Sequence, residues 1–80
     1  MLLIAFDSTQ QALRTEMLLD YAGVESDTQP TPKSITAGCA LSIGFAEEEL
    51  PRVAGLLRSE QVEIRGIFRF QADGYVPVEW

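Results

Sequence analysis

Short apolar segments of two periodicities alternate along the chain, and their order constrains the fold more than any single residue does. Leu2 to Phe6 is an unbroken apolar run that stops at Asp7, the pattern of a strand covered on at least one face. Ser8, followed three residues later by Gln11, forms a capping-box pattern and predicts a helix from about Thr9 to Ala22. Leu13, Met17 and Tyr21 recur there at four-residue steps, with Ala12 and Leu19 widening the expected buried stripe. Gly23 supplies the stop.

Val24 to Gln29 reads as an extended, polar segment suited to a sheet edge, and Pro30 and Pro32 end it. A loop over 30–38 leads to Cys39. Beyond it Leu41, Ile43 and Phe45 alternate with Ala40, Ser42 and Gly44, the period of a strand. Glu47, Glu48 and Glu49 precede Pro51, which fits only a first turn, so a second helix starts near Glu48. Its stripe is Leu50, Val53, Ala54 and Leu57. A last strand, Val62 to Phe70, sets Val62, Ile64, Gly66, Phe68 and Phe70 on one face. Glu63, Arg65 and Arg69 take the other, with Ile67 the exception. The order β-α-β-β-α-β predicts an α+β, ferredoxin-like split βαβ fold: a four-stranded antiparallel sheet with two helices on one face. Strands one and three are expected in the centre, two and four at the edges. Residues 1–70 form the expected single domain. Residues 71–80, with Tyr75, Val76, Val78 and Trp80, form an apolar tail expected to pack on the domain or on a partner subunit. The sheet face without helices is left open for a homodimer.

Eighty residues hold one core, and a 46% apolar share suits a compact domain rather than a disordered tail. Six Lys and Arg against twelve Asp and Glu give a net charge of -6. Nucleic acids and anionic membranes both demand cationic surface, so neither is an expected partner. The opening six-residue apolar run has no basic leader and reads as a strand, not a signal peptide or membrane span. Histidine is absent and Cys39 is the one cysteine, which rules out an intrachain disulfide, a Cys/His pair and a thiolate-rich zinc site. No metal and no cofactor are expected, and the cytoplasm is the expected compartment.

Cys39 has two readings. A lone cysteine in a small domain is commonly a buried hydrophobe. This one stands where a loop enters a strand, a usual place for working groups. Gly38 admits a close backbone approach and an amide nest, and Lys33, six residues upstream, offers positive charge that raises the thiolate fraction. The residues alone leave both readings open. Glu47 to Glu49 read as a solvated helix start before a docking patch. Arg65 and Arg69 read as cross-strand partners of acids before an anion site, and Asp7 and Ser8 as a cap before a ligand contact. Tyr75 and Trp80 read as packing or dimer contacts.

The segment Pro30-Thr31-Pro32-Lys33, then Ile35-Thr36, then Cys39-Ala40-Leu41 resembles the signature of the small selenium/sulfur carrier-like family, found mostly in anaerobic bacteria. That signature runs Pro-Thr-Pro-Arg, one residue, Ile-Ser, two small residues and Cys-Gly before an alternating apolar strand. Phe6-Asp7-Ser8-Thr9, Ala12-Leu13 and Gly66-Ile67-Phe68 extend the likeness over roughly residues 1 to 70. The resemblance implies that Cys39 is a carrier thiol, taking up sulfur or selenium as a persulfide or selenopersulfide for transfer between donor and acceptor proteins. It further implies a binding loop shaped by Pro30 and Pro32, with Lys33, Thr36, Gly38 and Ala40 around the thiol. Lys33 replaces the usual arginine and lacks its bidentate fork, and Ala40 stands where glycine is usual. Such transfer needs a thiolate and an accessible sulfur, neither metal nor built-in base, so a carrier is expected rather than an enzyme. The rival reading is a non-catalytic regulatory, ligand-binding or homodimer assembly module with Cys39 incidental.

Overall fold

The computed structural model describes residues 1–35 and 37–80. The elements in chain order are β1 (Leu2–Ala5), α1 (Thr9–Tyr21), β2 (Ser26–Pro30), β3 (Leu41–Phe45), α2 (Leu50–Ser59, entered through a short 3-10 turn, Glu47–Glu49), β4 (Gly66–Gln71) and β5 (Gly74–Val78). The strands form one antiparallel sheet in the order β2-β3-β1-β4-β5. The chain is α+β with two helices, as the periodicities predict, but the sheet has five strands and not four. β4 is therefore interior, and β5 takes the edge that β4 was expected to hold.

β1 lies at the centre because its four residues are apolar without interruption and are buried on both faces. Leu2 and Ile4 face the helices. There they join Ile43 and Phe45 of β3, Ile67 of β4, Ala12 and Leu19 of α1, and Val53 and Leu57 of α2 in the main core. Leu3 and Ala5 face the other way and meet Ile35, with Phe68 and Tyr75 packed beside them. That second face is thus covered in part by the loop after β2, whereas the pattern suggested it was open. Burying Ile35 there is worth about 1.5–3 kcal/mol and pins the loop to the sheet.

One expected face is reversed, that of β4, and one is corrected in part, that of α1, where Ala12 and Leu19 are buried as expected. On β4 it is Ile67, the supposed exception, that enters the main core, while Phe68 and Phe70 take the opposite side. On α1 the buried residues are Ala12, Thr15 and Leu19, and Leu13, Met17 and Tyr21 are exposed. Small side chains let α1 lie close to the sheet. Thr15 is tolerated in the core because its hydroxyl donates to the Gln11 carbonyl at 2.8 Å. The capping box is half made: Ser8 Oγ accepts from the Gln11 amide at a long 3.5 Å, and Gln11 Oε1 is buried with no partner.

Both edge strands carry a proline, Pro30 in β2 opposite Leu41 and Pro77 in β5 opposite Phe68. Proline cannot donate to a ladder, so both edges are poor templates for adding another strand. Trp80 packs back on the main core and lies under the Arg58 guanidinium at 5.1 Å from the ring centroid. Arg52 ties α2 to its own Glu49 at 3.0 Å and donates to the Ala22 carbonyl at the end of α1.

Candidate functional site

Cys39 follows a loop whose shape is set at three points. Leaving β2, Thr31 donates its amide to the Ala40 carbonyl at 2.8 Å, closing the base of the loop. Pro32 to Ile35 form a tight turn, the Ile35 amide donating to the Pro32 carbonyl at 3.0 Å. Lys33 occupies the exposed tip of that turn. At the far end the Gly38 amide donates to Asp7 Oδ1 at 2.9 Å, and a Cβ on Gly38 would stand 2.7 Å from the Asp7 carbonyl oxygen. Glycine is required there by contact, since the loop runs directly against the exit of β1.

The backbone then turns the cysteine inward. Its amide donates to the Phe6 carbonyl at 3.0 Å, extending the association with β1 past the regular pairs. The side chain enters the main core and Cys39 is 3% exposed. Sγ is not left among hydrocarbon alone. It lies 3.2 Å from the Thr9 hydroxyl, in the first turn of α1, and receives the Leu41 amide at 3.3 Å. Among the described residues the sulfur thus has two polar neighbours, a hydroxyl in the first turn of α1 and the first amide of β3.

Thr31 organises the same segment from the other side. Its hydroxyl donates to the Cys39 carbonyl at 3.0 Å and lies 2.6 Å from Ser42 Oγ, which is fully buried. Asp7, besides holding Gly38, faces Arg65 at 3.6 Å. Arg69 is the bidentate partner of Glu47, at 3.1 and 2.5 Å. The hydrogen bond from Arg69 holds the Glu47 carboxyl below its usual range, and Glu47 in turn raises the Arg69 guanidinium.

The structure corrects several expectations around the thiol. The sulfur is enclosed, where the loop-to-strand position suggested presentation to water. The amides of Gly38 and Cys39 are committed to Asp7 and Phe6, so they form no nest around it. No hydrogen bond or ion pair joins Lys33 to Cys39 among the described residues. Pro30 is the last residue of β2, Pro32 starts the turn, and Ala40 is exposed and accepts from Thr31. Thr36 lies outside the described residues. Thr9, Thr31 and Asp7 are the polar groups that sequence reasoning missed in this role. A threonine between two prolines was the available signal for Thr31; for Thr9 there was none, because its contact is thirty residues distant.

Among the described residues no group of three or more His, Cys, Asp or Glu side chains gathers to hold a metal ion, and no helix is long and apolar enough to cross a membrane. No curated protein and no solved structure matches the chain. A family model described as putative Se/S carrier protein-like matches residues 1–69, from the start of β1 into β4. β5 lies beyond the matched segment. With 69 of 80 residues matched, and with the Cys39 loop inside that span, the chain belongs to the Se/S carrier protein-like family.

Proposed function

We propose that this protein carries sulfur or selenium on Cys39, as a persulfide or selenopersulfide, between a donor and an acceptor protein. The observation that carries the reading is the placement of Sγ between the Thr9 hydroxyl and the Leu41 amide at the head of α1. Family membership supports the same reading. The strand order β2-β3-β1-β4, with both helices on one side, supports a ferredoxin-like split βαβ unit extended by β5.

The transfer is thiol exchange. The Cys39 thiolate attacks the outer sulfur of a donor persulfide, forming a new S–S bond to Cys39 as the donor's own S–S bond breaks. The donor leaves as a thiolate, and oxidation state is exchanged without an external oxidant. The loaded sulfur is passed on when an acceptor thiolate repeats the attack. A single cysteine suits this relay, because no second thiol in the chain can resolve the persulfide into an internal disulfide. Burial of Cys39 means that Gly38 to Ala40 must lift from the first turn of α1 for the sulfur to be reached. A reducing compartment such as the cytoplasm keeps the empty carrier as a free thiol.

The test is intact-mass analysis of protein incubated with a cysteine desulfurase and cysteine, or with inorganic polysulfide, without reductant. One added sulfur atom, absent from Cys39→Ser, is expected. No adduct under either condition, or an adduct unchanged in Cys39→Ser, overturns the reading.

A further inference from the structure

Leu13, Met17 and Tyr21 are 51%, 61% and 88% exposed. Four-residue spacing lines them up along one side of α1. Thr9, four residues before Leu13, heads the same line, and its hydroxyl is the group that touches Cys39 Sγ. From Thr9 to Tyr21 the line is about 18 Å long. Three large apolar side chains in a row, unused by the core, form the kind of surface that marks an interaction site.

The two flanks differ in charge. On the β2 side stand Glu16 and Asp20, which with Met17 and Ser26 border a cleft of about 340 Å³. On the opposite flank Arg14 is occupied, donating to the Glu60 carbonyl at 2.8 Å and facing its carboxylate at 3.6 Å. The exposed line is therefore apolar at its centre and acidic along one edge.

We propose that this side of α1 docks a basic amphipathic helix of a partner protein. Its aliphatic ridge lies on Leu13, Met17 and Tyr21, and its Lys or Arg residues lie over Glu16 and Asp20. Charge complementarity selects such a partner over a second copy of this chain, because each copy carries the same acidic edge and a net charge of -6. The flexible thioether of Met17 lets the surface adapt to more than one ridge. The docking surface stands on α1 by itself. Its purpose, leading a donor or acceptor to the sulfur at the head of the line, rests on the carrier reading above.

The test is an NMR titration of the full-length chain with a synthetic helical peptide bearing leucines at i, i+3, i+4 and i+7 flanked by lysines. A twin peptide carries glutamate in place of lysine. The expected result is amide shifts confined to α1 and the adjoining part of β2, with affinity falling about tenfold or more in high salt. The glutamate twin does not bind, and Met17→Glu abolishes binding by the lysine peptide. The proposal is overturned if neither peptide binds, if both bind alike, or if the shifts fall around Phe70 on the opposite sheet face. It is overturned equally if the α1 amides shift with protein concentration alone, which would assign the surface to a homodimer. Loading of Cys39 by polysulfide needs no partner, so Met17→Glu must still acquire sulfur like the wild type. Failure of loading strikes the carrier reading and leaves the docking result standing.

Discussion

Thr9 Oγ1 and Cys39 Sγ stand 3.2 Å apart, joining the first turn of α1 to a loop thirty residues away. The contact helps to fix where the sulfur sits and supplies one of the two polar neighbours it has among the described residues. On the proposed carrier reading Cys39 reacts as a thiolate, and a hydrogen bond to a charged group is worth about 1.5–3 kcal/mol. Thr9→Val is therefore expected to slow alkylation of Cys39 by a small reagent about tenfold or more, while Thr9→Ser keeps the wild-type rate. Faster labelling in Thr9→Val would mean that the side chain only blocks access.

Thr31 secures the same segment through the Cys39 carbonyl and the buried Ser42 hydroxyl. Thr31→Val leaves both without that partner and is expected to destabilise the fold by about 1–3 kcal/mol. Thr31→Ser should lose much less. Urea denaturation decides it, and a larger loss in Thr31→Ser than in Thr31→Val would point to the methyl group rather than the hydroxyl.

Gly38 is held by contact, with backbone atoms of Asp7 in the space a side chain would fill. Gly38→Ala must push the loop away from β1, and over-packing of this kind costs about 1–3 kcal/mol. The expected signature is a lowered urea midpoint together with shifted Asp7 and Cys39 amides. An unshifted midpoint would show that the loop relaxes freely.

The Glu47–Arg69 pair gives a pH dependence of known sign. The hydrogen bond from Arg69 lowers the Glu47 carboxyl below its ordinary value of 4.5. Its contribution is full above that value and is lost as the pH falls through the lower value of the folded state. The urea midpoint of wild type should exceed that of Glu47→Gln by a small, steady margin near neutrality, shrinking in acid below pH 4.5. Both side chains are partly exposed, so the margin should also shrink in high salt. A margin that grows in acid would reverse the assignment.

β5 illustrates why part of the fold was hidden in the sequence. Asp73-Gly74 hints at a hairpin, but Gly74 already pairs with Gln71 and the turn falls on Ala72 and Asp73. Ala72 adopts a φ of 52°, a conformation alanine rarely takes, and Pro77 argues against a strand except at an edge. Local preference thus spoke for a tail, and pairing with β4 overruled it.

The sequence by itself determined the order of strands and helices from β1 to β4 and the place of Cys39 between loop and strand. Periodicity and local sterics act within a few residues, and those features need nothing more. Only the tertiary structure decided which side of α1 is buried, that Cys39 turns into the core, and that Thr9 and Thr31 hold its sulfur and its carbonyl. Two stripes on α1 share the helical spacing, one of Leu13, Met17 and Tyr21 and one of Ala12, Thr15 and Leu19. Close approach to the sheet selects Ala12 and Thr15, a choice that depends on the shape of a surface built from distant parts of the chain.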